Sequence, residues 1–106
     1  MIIPQTEWLV PTEYPDLRAA EEISIDLETR DPDLKKLGSG AITSNGEVVG
    51  IAVAVDGWKG YFPIAHEIGP NLDRKKVLDW FKDVCESPAT KIFHNAMYDV
   101  CWIRNL

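Results

Sequence analysis

The stretch ISIDLET, residues 23–29, decides how this chain is read. Ile23, Ile25 and Leu27 alternate with Ser24, Asp26 and Glu28, the period-two pattern of a strand with one buried face. Acids are poor strand formers and costly to bury, so Asp26 and Glu28 call for an explanation. They project from one face about 6.6 Å apart, the rise of two strand residues. Neighbouring carboxylates repel, and one has its pKa raised unless a cation sits between them. Mg²⁺ or Mn²⁺ suits such oxygen donors. Taken alone, Asp-x-Glu is more often a solvated strand face. A calcium loop counted from Asp26 fails, because Arg30 and Asp31 stand where that loop needs an acid or amide and then glycine.

Outward from this first strand, Ile23–Glu28, the pattern is regular. Residues 1–22 contain Pro4, Pro11 and Pro15 and read as an extended arm, with a short helical turn near Leu17–Glu22. Asp31 to Asn45 reads as a loop, punctuated by Pro32, Gly38 and Gly40 and closed by the turn pair Asn45–Gly46. Glu47–Val55, EVVGIAVAV, is a nearly continuous apolar run and predicts a strand buried on both faces. Asp56–Gly57 is a hairpin signal, and Trp58–Ile64 returns as a third strand, with Pro63 suited to an edge. Asp73–Glu86 predicts a helix, with Val77, Leu78, Phe81, Val84 and Cys85 on one face. Asn71 or Asp73 is placed to cap it, and Ser87–Pro88 ends it. Ala89–Phe93 is a short strand, and a last helix begins at Asn95 or Ala96.

The order strand, strand, strand, helix, strand, helix predicts an α/β fold. A hairpin-linked trio is followed by a right-handed helical crossover, which lays the fourth strand parallel beside the first. That fourth strand would be an open edge, a place for self-association with another chain.

With 106 residues, 45% of them apolar, the chain is sized for one small domain. Its net charge of −6 argues against a passive nucleic-acid clamp. It does not argue against a nuclease, because bound divalent ions reverse the local field. Cys85 and Cys101 have no metal spacing and follow no secretory leader, so they read as reduced, buried thiols in a cytoplasmic protein. No apolar run approaches the roughly 20 residues that a membrane helix needs.

The second informative stretch is KIFHNAMYDVCWI, residues 91–103. Asn95 and Asp99 are one helical turn apart and share a face. The plain reading is a capping Asn95 and an acid favoured by the helix dipole. With the fourth strand parallel to the first, however, both strands end at the same sheet edge. Asp26, Glu28 and Asp99 can then converge there.

These two stretches, SIDLET and HNAMYD, resemble the first and second motifs of the 3′–5′ proofreading exonuclease domain of family A DNA polymerases. That family belongs to the DEDD superfamily and has a ribonuclease H-like fold. The intervening VGIAVAVDGWKGYFPIAHE resembles the hairpin that links the motifs, and the wording is most similar to bacteriophage polymerases. The resemblance runs from about Ile23 to Leu106. It implies two-metal hydrolysis of DNA 3′ ends with Mg²⁺ or Mn²⁺. Asp26 would bridge both metals, Glu28 would bind the first and orient the attacking water, and Asp99 would hold the second. Asn95 would steady the second-motif helix or touch the single-stranded DNA 3′ end, with Leu27 and Thr29 also in the substrate-binding set. His66, at the end of PIAH, reads as a hydrogen-bonded structural residue.

The family also has a third motif, a Tyr or His followed by a fourth acid, which residues 100–106 do not supply. The expectation is therefore residues 1–22 as an arm and 23–106 as a partial exonuclease domain, part of a longer polymerase chain, truncated before the last strand and helix and inactive alone. The alternative is a non-catalytic ribonuclease H-like binding or structural module, and a relative acting on RNA would share the same motifs. A different metal phosphoesterase using Asp31 or Asp33 is disfavoured because Pro32 turns the chain away from the sheet edge. Trp8, Trp58, Trp80 and Trp102 could stack bases, but Trp80 and Trp102 on the predicted helices read better as packing residues, Trp58 and Tyr61 on the hairpin as similarly ordinary, and Lys35 and Lys36 as a solvated loop.

Overall fold

In the computed structural model, residues 10–106 are described; Trp8 and the first part of the predicted arm lie outside them. The alternation at Ile23, Ile25 and Leu27 produces strand β1, Glu22–Arg30. It pairs antiparallel with β2, Glu47–Val55, setting Ile25 opposite Val53 and Leu27 opposite Ile51. A two-residue turn at Asp56–Gly57 leads into β3, Trp58–Pro63, and Gly57 supplies the left-handed conformation at φ 84°. The sheet order is β3-β2-β1-β4, with β4 (Thr90–Phe93) parallel to β1 and at the edge. The mixed α/β architecture expected from the sequence is the one observed, and it is compatible with a ribonuclease H-like fold.

One face of the sheet carries the core. Ile23, Ile25, Leu27, Ile51, Val53 and Phe62 are at most 5% exposed and pack in one cluster with Val77, Phe81 and Val84. Those three lie on α3, Arg74–Glu86, at helical spacing. Burying side chains of this size stabilises a fold by roughly 1.5–3 kcal/mol each. The Asp73 side chain caps α3 by accepting from the Lys76 N–H at 3.2 Å. Ser87 leaves the helix in an extended conformation, as the residue before Pro88 must. Leu78 and Cys85 lie only partly under cover, and Cys85 and Cys101 are half-buried free thiols rather than fully buried ones.

The predicted helical turn near Leu17–Glu22 shrinks to one bond, Ala20 N–H to Leu17 O at 3.1 Å, because Glu22 already pairs with Thr90 in the sheet. The predicted loop from Asp31 to Asn45 holds two single-turn helices, α1 (Leu34–Leu37) and α2 (Gly40–Thr43). The Asp31 carboxylate accepts the Gly40 N–H, with both oxygens within 3.1 Å, and so steadies a turn whose composition reads as loop. Lys35 and Lys36 stay exposed on α1. Trp58 and Trp80 pack with Phe62 and Tyr14 in a ring cluster, and Trp102 is buried in the core. Among the described residues no helix is long and apolar enough to cross a membrane.

Candidate active site

Strands β1 and β4 run in the same direction, and their last paired residues are Ile25 and Phe93. The next residues, Asp26 and His94, therefore sit side by side where β4 stops, while β1 runs on to Arg30 along β2. Carboxyl ends of parallel strands are the usual place for ligands in open α/β sheets. Asp26 points away from the core, opposite Ala52. It lines an open pocket of about 420 Å³ with Ser24, Ala52, Ile92, Phe93 and His94. After β4 the chain turns into α4, Ala96–Arg104, capped by Asn95, whose side chain accepts from the Tyr98 N–H at 3.4 Å. This cap sets Asp99 in the first turn, where it is only 3% exposed.

The two acids carry the same signature. Asp26 Oδ2 and Asp99 Oδ2 are both buried and have no hydrogen-bond partner. Burial pushes the Asp99 carboxyl above its ordinary range, and the Asp26 charge pushes it further. Burial likewise raises Asp26, with Glu28 adding to it. A positive charge at His94 acts against the shift at both acids. Native structures rarely leave buried carboxylate oxygens unmade, because the group then bears its desolvation cost. A hard divalent cation fits such a pair, since it accepts oxygen donors and removes the repulsion between them.

Glu28 is arranged differently. It shares the sheet face of Asp26, but its Oε2 accepts a hydrogen bond from the Tyr61 hydroxyl at 2.8 Å. Tyr61 in turn lies 2.5 Å from His66 Nε2. Burial and the Glu28 carboxylate both hold the Tyr61 phenol in its protonated form. Gly50 lies opposite Glu28, and a Cβ there would stand 1.8 Å from the Tyr61 hydroxyl oxygen. Just beyond, the β1–β2 register slips between Glu28 and Thr29. Such bulges re-aim side chains next to sites. Among the described residues no three His, Cys, Asp or Glu side chains are grouped so as to hold a metal ion. The fold thus sets Asp99 within electrostatic reach of Asp26 and keeps Glu28 tied to the hairpin.

The remaining candidates divide between substrate access and support. The Leu27 side chain is buried in the core, which leaves only its backbone on the site side. Thr29 Oγ1 lies 2.9 Å from the Tyr98 hydroxyl, and Tyr98 donates to Asp31 Oδ2 at 2.7 Å. Because that donation uses the single phenolic proton, Thr29 is the donor to Tyr98. This bridge clips α4 to the end of β1, and sequence reasoning missed it, although Tyr98 sits beside Asp99. Asp31 and Asp33 are occupied as loop acids: Asp33 Oδ2 accepts from the Asn45 side chain at 2.5 Å. Asn71 does not cap α3. Its side chain instead makes a paired bond to the His66 backbone, at 2.8 and 2.9 Å.

The raised acids have a stability consequence. A carboxyl whose native pKa lies above its unfolded value costs stability once the pH exceeds that unfolded value. The metal-free protein is thus expected to lose stability as pH rises from about 4 through the raised native values. Asp99→Asn removes one of the two charges. At pH 7 without metal it is expected to melt above the parent, where a gain of about 1 kcal/mol corresponds to roughly 4–8 °C. The difference should vanish near pH 4, and thermal melts across that range check both signs.

A four-stranded mixed sheet with flanking helices, with Asp26 where β1 parts from β4 and Asp99 on the helix that follows β4, describes an α/β unit compatible with a ribonuclease H-like fold. No sequence-family model matches the chain. A DNA-directed DNA polymerase of Pseudomonas phage M6 is 43% identical to it over 81 residues, 73% of this chain and 12% of that protein. The chain is thus related to a short stretch of a phage DNA polymerase.

Proposed function

We propose that this region is a metal-dependent 3′–5′ exonuclease unit of a DNA polymerase, of the family A, DEDD type, acting on single-stranded DNA 3′ ends. The observation that carries the reading is the pair of buried, unpartnered oxygens on Asp26, where β1 parts from β4, and on Asp99, in the first turn of the helix that follows β4. Kinship to a phage DNA polymerase supports it. Asp26, Glu28 and Asp99 would hold Mg²⁺ or Mn²⁺. Such ions supply an activated water and charge stabilisation at the leaving 3′ oxygen. The chain's own contribution is positional. Asn95 caps α4 and so fixes Asp99 in its first turn, the Tyr98 bridge holds α4 against β1, and the Leu27 backbone would border the substrate path.

The tether on Glu28 favours a second reading, a ribonuclease H-like module that binds without turnover. One assay separates the two: Mg²⁺- or Mn²⁺-dependent release of 3′ nucleotides from single-stranded DNA. It is run on the 106-residue chain and on the phage M6 polymerase carrying this chain's matching stretch in place of its own. The 106-residue chain is expected to release slowly and the chimera readily. No metal-dependent release by either protein overturns the nuclease reading. Rapid release by the 106-residue chain would show that it needs no further acid.

A further inference from the structure

We propose that Tyr61 and His66 are positioning residues for Glu28, holding its carboxylate in one orientation at the candidate site. Proton counting fixes the direction of the chain of bonds. An ionised carboxylate only accepts, so the single Tyr61 proton goes to Glu28 Oε2. The Tyr61 oxygen is then the acceptor from His66, which must carry its proton on Nε2. Asn71 completes the device by gripping both the N–H and the C=O of His66 with its side-chain amide. Support thus runs from the loop after β3, through the imidazole and the phenol, to a carboxylate on β1.

The surroundings leave this arrangement little freedom. Tyr61 is only 2% exposed and packs against Ala52. Its ring passes over Gly50, the position on β2 opposite Glu28, where any side chain would collide with it. Phenylalanine would fill the same space without burying a hydroxyl, so the hydroxyl has a use beyond packing. Carboxylates that meet metal ions are commonly oriented by such partners, whose loss typically costs roughly 10–100-fold in metal affinity. The metal half of this inference rests on the proposed exonuclease site; the orientation of Glu28 does not.

The test uses the 106-residue chain and reads two quantities. Side-chain NMR couplings report the Glu28 χ1 rotamer without metal, and manganese EPR reports the Mn²⁺ dissociation constant. In the parent, Glu28 is expected to occupy one rotamer. Tyr61→Phe should average it and weaken Mn²⁺ binding roughly 10–100-fold. His66→Leu should act in the same direction. His66→Gln, which keeps an N–H donor near the Nε2 position, should restore the parent couplings. In a Glu28→Gln background, Tyr61→Phe should have no further effect on Mn²⁺ affinity. Parent-like Glu28 couplings in Tyr61→Phe overturn the proposal, as does an affinity loss of equal size with and without the Glu28 carboxylate. A parent that binds no Mn²⁺, yet whose Glu28 rotamer depends on Tyr61, overturns the metal-site reading and upholds the positioning role.

Discussion

Asp26→Ala is expected to lower metal-dependent 3′-nucleotide release by about a thousandfold, the order seen when one preorganised group facing the developing charge is removed. The argument runs from placement. Asp26 is the first residue of β1 beyond its pairing with β4, and its charge acts on Asp99 across the site. Its small neighbours on the open face, Ser24 and Ala52, offer no carboxylate in its place. Asp99→Asn should cost a similar factor. Acids that act as one unit are not additive, so the double variant should be about as slow as either single one. Release rates at saturating Mn²⁺, with melting temperature as the folding control, check this. A double variant slower by the product of both factors would show that the two acids work separately.

Phe62→Ala is expected to destabilise the fold by about 3–5 kcal/mol, the usual range for a buried phenylalanine. Its side chain is fully buried. The ring lies 4.5 Å from Trp80, 5.9 Å from Tyr14 and 6.3 Å from Trp58, measured between centroids. Trp80 is itself anchored, with its indole N–H donating to Pro15 O at 2.7 Å. The neighbours therefore cannot collapse far into the space left behind. Against a typical total of about 5–15 kcal/mol, such a loss takes a domain of this size close to unfolding. Urea titration followed by circular dichroism measures it, and a loss under about 1 kcal/mol would mean that the aromatic cluster closes over the cavity.

Much of this fold is legible in the sequence because its signals are local. The apolar run 47–55 is β2 to the residue, and Asp73, Ser87 and Pro88 bracket α3 as capping rules require. The parallel course of β4 beside β1 is legible too, because a helical crossover joins the hairpin to it. The contacts that were not legible span long separations. Tyr61 reaches Glu28 from 33 residues away, and that contact depends on strand register rather than on either residue's neighbours. The Tyr98–Asp31 bond spans 67 residues. Strand β1 continues past Glu28 to Arg30 because Arg30 faces Glu47 on β2 and pairs with it at 3.0 Å. A single glycine in the apolar run, Gly50, was the one local hint that another group comes close.

Gly50 also bears on how this region can diverge among relatives. A Cβ at position 50 would overlap the phenol oxygen and stand 2.3 Å from the ring carbon that bears it. Alanine there thus excludes tyrosine and phenylalanine alike from position 61 in this packing. Relatives that lose the glycine must also lose the aromatic ring, and the acid at position 28 must then find another donor or change as well. Positions 28, 50 and 61 are therefore expected to be inherited as a set, so that a mutational path altering one of them passes through a poorly packed or poorly oriented intermediate unless the others change with it.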